Sequence, residues 1–510
     1  MVVAFANVPY LLGYAFAKPG TQFGGVLLHP DDAESHLAKV QQGYAGRWAY
    51  RIPFTSDEHD AAFLGGFYLS LGHLARLCGM PVIAIWHLAR VLVGWALCLV
   101  VYGFIGRWLP DHGTRRLAYV LALAGSGLGW IPLAAGRADW LGALPVDFQM
   151  PEAHLFPTLM TFPHLCAGAL LLVASLWLAE RAFETGRWRL WAASGVASLG
   201  LAIVYPFLIY LVALVLVLRF VQRGLAARRP DWRAGAGALF SLLLGAPLYW
   251  HYGRVLETNA VMRAWAAQAV TPSPHPMHYL LAYGAMLALA WPTLRRREYA
   301  FPWLWVLAVA LLLYAPINPQ RRFVEGVQVP LALLAGAGLA EHWLPRWRVR
   351  RLVVAFVVAI LAASNIFLLA RMGARTALER PDPLFRYRDE VAAVDWAGAH
   401  LPAGSVVLGA YRTGGFIPTR TDLRTVVGHW AETPDFTERS KRLRAFFVRP
   451  AEDAAWRAAY LAGERVDYVF YGPHERVLGD YDPGGGTPPL TRVFANNRVA
   501  IYRVEPPPGR

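Results

Sequence analysis

Asp31 and Asp32 form an adjacent acidic pair early in a chain that is poor in acids until its last quarter. Glu58-His59, Glu152 and His164 follow as further polar groups set between apolar stretches. Carboxylate oxygens are hard ligands, so Asp32, Glu58, His59 and Glu152 offer donors suited to Mg or Mn, although no ligand spacing links them. Arg321-Arg322, within Asn318-Pro-Gln-Arg-Arg-Phe, is a cation pair. Its planar donor forks suit an anion such as a phosphate or a lipid headgroup. Farther on, Gly428-His429-Trp430-Ala431-Glu432-Thr433 follows a strand end, a common place for functional groups. There His429 and Glu432 supply polar contacts and Trp430 a face on which a sugar can stack.

These residues need elements to hold them. The chain has 510 residues, 56% hydrophobic and only 16% charged, with a net charge of +15. Mean hydropathy is +0.34 and the pI about 9.9. Ordinary soluble domains carry roughly 25% charged residues. Charge is sparse up to Arg371 and dense from Arg380, so the chain divides into a membrane part, 1–372, and a soluble part, 382–510. The positive charge lies in short arginine clusters between apolar runs, which argues against nucleic-acid binding. Only Lys18, Lys39 and Lys441 are lysines. Cys78, Cys98 and Cys166 form no disulfide framework or CxxC pair and read as small buried hydrophobes.

Apolar runs predict about eleven transmembrane helices: 2–17, 82–106, 117–135, 163–182, 190–205, 206–221, 235–252, 278–294, 301–316, 327–344 and 351–370. The stretch 190–221 is too long for one span and is split at Tyr205-Pro206. With the N-terminus in the cytoplasm, every inner loop is arginine-rich, as the positive-inside rule requires. Arg321-Arg322 is the exception, a basic pair on the outer side. This orientation predicts an inner-membrane protein with an extracytoplasmic tail and two large outer loops, 19–80 and 136–162. The spans are nearly free of acids, and the acids collect at the outer membrane–water boundary. That distribution places chemistry at the lipid headgroups rather than along a conduction path.

In the first loop, Asp31 or Asp32 is expected to cap a helix over 33–42, amphipathic and suited to the bilayer surface, with Lys39 off its apolar face. Thr55 or Ser56 is expected to cap a second helix, 57–78. The tail reads as α/β: helices 387–400, 435–447 and 451–463, strands 405–410, 425–429 and 466–471, and a hairpin joined through Asn496-Asn497. Gly484-Gly485-Gly486 reads as a flexible loop.

A first span, an outer loop with an acidic pair and two interfacial helices, many spans and an outer C-terminal domain together resemble the GT-C class of polyprenyl-phosphate-sugar-dependent glycosyltransferases. The likeness is to the bacterial mannosyl- and arabinosyltransferase-like members. The His-Pro-Pro continuation of some members is absent; Glu58-His59 occupies roughly that place. The resemblance implies a polytopic GT-C-like membrane domain and an inverting enzyme in which Asp31 or Asp32 is the general base. It implies a polyprenyl-phosphate sugar as donor, its phosphate held by Arg321 and Arg322, in contact with membrane lipids. The acceptor would be an extracytoplasmic glycan, lipid or protein, contacted by Glu58, His59, Glu152, His164, His429 and Glu432. Two other readings stay open: a non-catalytic membrane protein whose outer domain binds a glycan or protein partner, and a lipid-linked-sugar transporter.

Overall fold

The computed structural model describes residues 1–448, 453–485 and 490–505. Among them, five helices are long and apolar enough to cross a membrane: Val82–Trp108, Pro163–Thr185, Leu208–Ala227, the segment Arg321–Arg346 and the segment Arg350–Glu379. Val2–Ala15 and Trp188–Val204 are shorter apolar helices. The break at Tyr205-Pro206 is present: the Trp188–Val204 helix ends at Tyr205 and the next begins at Leu208. Two expected spans are interrupted. The stretch 117–135 is divided between His112–Ala124 and Trp130–Ala134, and 235–252 between Trp232–Leu243 and Ala246–Thr258.

The chain forms two compact units. The first comprises Met1–Pro9, His87–Trp250 and Thr271–Ala374. Small residues let its helices approach closely, as in membrane bundles. A Cβ on Gly336 would collide with Ala118, and one on Gly338 with the Leu289 carbonyl. Ser175 meets the hydroxyls of Ser194 and Ser198 at 3.3 and 2.9 Å, so these buried polar groups satisfy one another. The Gln328–Gly338 helix is buried along its whole length.

The second unit comprises Tyr10–Trp86, His251–Val270 and Arg375–Arg510. Its helices Pro30–Tyr44 and Gly66–Cys78 pack backbone to backbone. A Cβ on Gly43 would enter the Leu69 carbonyl, and one on Gly72 the Val40 carbonyl. Strand β1 (Thr21–Phe23) pairs antiparallel with β2 (Phe385–Tyr387), matching Gln22 with Arg386. Strands β3 (Val406–Leu408), β4 (Arg424–Thr425), β5 (Tyr468–Tyr471), β6 (Leu490–Ala495) and β7 (Ala500–Val504) form a mixed sheet in the order β4-β3-β5-β7-β6. β3 is parallel to β4 and β5; β7 is antiparallel to β5 and β6. One face, through Val406, Leu408 and Tyr471, buries Phe446, Phe447 and Tyr460 of the helices Phe436–Val448 and Ala454–Gly463. The opposite face, through Val407, Phe470 and Ile501, buries Ala393, Val394 and Ala397 of the Arg388–His400 helix. Alternate strand residues thus serve opposite cores. Residues 451–452 of the expected 451–463 helix, and Gly486, lie outside the described residues.

The first-loop expectations need three corrections. Neither Asp31 nor Asp32 caps its helix. Pro30 occupies the first helical turn, His29 precedes it with φ 48°, and both acids lie inside that turn, where the positive helix end favours them. The second helix starts at Gly66, after Gly65 with φ 65°, and not at 57. Residues 50–62 instead form a loop closed by a Tyr50–Ala62 bridge. Thr55 bonds Asp57, Ser56 bonds Glu464, and Asp57 is gripped by Arg439. Lys39 is not solvated but 7% exposed.

Candidate active site

The Pro30–Tyr44 helix carries the acidic pair in the second unit. Arg412 donates to Asp31 Oδ1 at 2.5 Å. His429 Nε2 stands 3.5 Å from Asp32 Oδ1. Nδ1 of His429 accepts the Glu432 N–H at 3.2 Å, so the ring proton belongs on Nε2, facing Asp32. Both aspartates are about one-third exposed and thus reachable from outside the protein.

One turn along, the same helix enters a buried polar network. Glu432 accepts from Ser35 Oγ at 2.6 Å, Lys39 Nζ at 2.7 Å and Tyr50 Oη at 2.5 Å. Lys39 Nζ also lies 4.3 Å from the Tyr50 ring centre. Burial pushes the Glu432 carboxyl up, but the Lys39 charge, His429 and the Ser35 bond outweigh it and hold the group below its ordinary value. Glu34, on the same helix, pairs with Arg386 at 2.7 Å, and Arg386 also binds Glu390 at 3.1 Å. Burial pushes the Glu34 carboxyl up to about 7, against the pull of Arg386. His474 lies 3.3 Å from Glu390 and 3.5 Å from Asp382. Burial opposes its charge, but these carboxylates prevail and raise its proton affinity above the usual imidazole value.

These last two groups give a pH dependence of one sign. Between about 4.5 and about 7 the folded Glu34 binds a proton that the unfolded chain has released, and His474 stays charged in the fold above its free value of 6.5. Protons on these two groups therefore favour the folded unit, a contribution lost as the pH rises from about 5 to about 8, while His59, whose charge burial disfavours, acts with the opposite sign. Glu34→Gln and His474→Gln should each make the slope of the midpoint against pH less negative in thermal unfolding of the full chain. Variants that leave the slope unchanged would contradict the assignment.

Glu58 and His59 stand apart from the acidic pair. Glu58 is exposed and bonded to Arg424 at 2.7 Å as well as to Arg51. His59 accepts the Ile52 N–H on Nε2 at 3.1 Å, with Nδ1 3.0 Å from the Asp57 carbonyl, so its ring braces the loop.

Glu152, His164, Arg321 and Arg322 belong to the first unit. Arg322 Nη1 donates to Glu152 Oε1 at 3.0 Å. Glu325, which the sequence reading passed over, is fully buried beside them, interacting with both Glu152 and Arg322. Arg321 donates its backbone N–H to the Thr271 carbonyl and is half-buried. His164 stacks on Phe162 at 5.5 Å and meets Tyr205 edge-on at 5.3 Å. Asp147 accepts the N–H groups of Gly127 and Gly129 and lies 3.5 Å from buried His154. Among the described residues no group of three or more His, Cys, Asp or Glu side chains is arranged to hold a metal ion.

Sequence reasoning missed Arg412, Arg386, Lys39, Ser35 and Glu325. Lys39 carried one usable signal: it is among only three lysines in an arginine-rich chain.

No protein-family model matches the chain, and neither does any curated protein. Solved structures do. Arabinofuranosyltransferase AftD from Mycobacteria aligns over 98% of this chain with TM-score 0.55 and 15% identity. This chain spans 41% of the length of AftD. ArnT from Cupriavidus metallidurans, solved with undecaprenyl phosphate, aligns over 98% of this chain and 97% of its own, with TM-score 0.51 and 14% identity. The oligosaccharyltransferase of Archaeoglobus fulgidus, tethered to an acceptor peptide, covers 92% of this chain and 69% of its own, with TM-score 0.51 and 13% identity. At such identities the likeness is one of fold. With its long apolar helices, the chain is a polytopic membrane protein with a GT-C-like fold.

Proposed function

We propose that this chain is an inverting membrane glycosyltransferase that moves a sugar from a polyprenyl-phosphate donor to an extracytoplasmic glycan, lipid or protein. Asp31 or Asp32 takes the proton of the acceptor hydroxyl. The acceptor oxygen bonds to the anomeric carbon as the bond from that carbon to the phosphate oxygen breaks. The polyprenyl phosphate leaves as an anion, with Arg321 and Arg322 as its binding cations. The protein sits in the inner membrane, N-terminus inside and C-terminal part outside.

The observation that carries this reading is the acidic pair. Two adjacent, partly exposed carboxylates sit in the first turn of a helix, each faced by a donor side chain, Arg412 or His429. The GT-C-like fold and the undecaprenyl phosphate of ArnT support a lipid-linked donor.

The test uses the full chain in lipid nanodiscs with radiolabelled sugars on a polyprenyl monophosphate. The expected result is release of polyprenyl phosphate and label in an acceptor from cell-envelope extract. Absence of both transfer and donor-induced thermal stabilisation, across mannosyl and arabinosyl donors, would favour a non-catalytic role.

A further inference from the structure

The second unit contains a cavity of about 290 Å³ beside the acidic pair. Pro30 and Glu34, from the helix that bears Asp31 and Asp32, form one wall. Leu37, Ile83, Leu384 and Phe416 make most of the remaining surface apolar, and Tyr44 stands at its edge. The charged groups lining it are two carboxylates and two guanidiniums, already matched. Arg386 binds Glu34, and Arg420 binds Asp395 through two bonds of 2.7 and 2.9 Å. The Arg386 guanidinium lies 4.2 Å from the Phe416 ring centre, which fixes the ring in place.

Such a lining selects its ligand. Asp395 offsets Arg420, and the buried Glu390 behind the cavity wall offsets Arg386 together with Glu34, so the lining offers little net attraction to a phosphate or an ammonium. The same pairs still present free lone pairs on Asp395 and spare N–H donors on Arg420, within the reach of hydroxyl groups that both give and accept hydrogen bonds. Aromatic rings and aliphatic walls suit the apolar face of a pyranose. The volume is at the small end of ligand cavities, roughly that of a mono- or disaccharide.

We infer that this cavity is a binding site for a neutral carbohydrate. Its role as the acceptor subsite rests on the glycosyl-transfer reading; the binding itself stands on the lining alone.

Saturation-transfer NMR on the full chain in lipid nanodiscs tests this, with methyl α-mannopyranoside, methyl α-glucopyranoside, mannose 6-phosphate and 1-octanol as probes. At least one neutral glycoside should bind at roughly millimolar Kd, the phosphate markedly more weakly. Asp395→Asn, an exposed change that leaves the core intact, should weaken binding at least about tenfold, and Phe416→Leu likewise. The inference is overturned if neither glycoside binds, if the phosphate binds as well as its neutral parent, if Asp395→Asn and Phe416→Leu leave binding unchanged, or if 1-octanol alone occupies the cavity. Glycoside binding that persists while the Asp31→Asn/Asp32→Asn double variant keeps full transfer would refute the base and leave the cavity standing. Loss of transfer in that variant without any glycoside binding would do the reverse.

Discussion

Changing Asp31 and Asp32 together to asparagine should lower glycosyl transfer by about 10²- to 10⁴-fold, the usual contribution of a positioned general base. Asparagine keeps the shape of the side chain and one acceptor oxygen but does not take up the proton of an attacking hydroxyl. The fold should survive. Both acids are about one-third exposed, and the Arg412–Asp31 pair is open to solvent, so losing it costs little stability. KM for donor and acceptor should change far less than kcat, because the loss falls on the proton-transfer step. The single variants separate the two residues: the base gives nearly the whole loss, its neighbour a small one. Initial rates with a lipid-linked donor provide the measurement, and a double variant with full transfer ends the base assignment.

Glu432→Ala should cost the second unit about 3–5 kcal/mol, the range for removing one partner of a buried ion pair. The carboxylate serves three donors at once: the Ser35 hydroxyl, the Lys39 ammonium and the Tyr50 phenol. Its removal leaves an ammonium 7% exposed with no anion beside it. Replacing both charges, Glu432→Leu with Lys39→Met, should recover much of the loss, since an apolar pair of similar volume has no stranded charge. Denaturant unfolding of the full chain reads both effects. A cost below about 1 kcal/mol for Glu432→Ala would place the network's stabilisation elsewhere.

The elements that were legible in the sequence are those set by local pattern. Long apolar runs marked the membrane helices, Tyr205-Pro206 marked a helix break, and the hairpin through Asn496 appears as β6 and β7. The errors fall where distant partners override a local signal. Thr55, Ser56 and Glu58 have the residue types of a helix start, yet Ser56 bonds Glu464 and Glu58 bonds Arg424, which holds the segment extended. Lys39 belongs on the wet face of an amphipathic helix by pattern, but a carboxylate 393 residues away draws it inside. For the site, the acidic pair was visible by type and position. His429, singled out after a strand end, stands 3.5 Å from Asp32, but Arg412 was not visible, because nothing in a linear chain encodes which helix end will meet which other. The fold implied by the GT-C resemblance is the one found, while the chemistry assigned to it rests on the proposals above.

The three donors that close around Glu432 come from Ser35, Lys39 and Tyr50, while the acceptor is made far later in the chain. At a synthesis rate of about 5–20 residues per second, the 393 residues between Lys39 and Glu432 take roughly 20–80 s to emerge. Through that interval the nascent first loop holds a lysine whose eventual burial site does not yet exist. Until the tail arrives, the ammonium must remain hydrated, and the helix that carries the acidic pair cannot settle into its final bed. The residues that would do chemistry are therefore among the earliest translated and the last to be fixed in place.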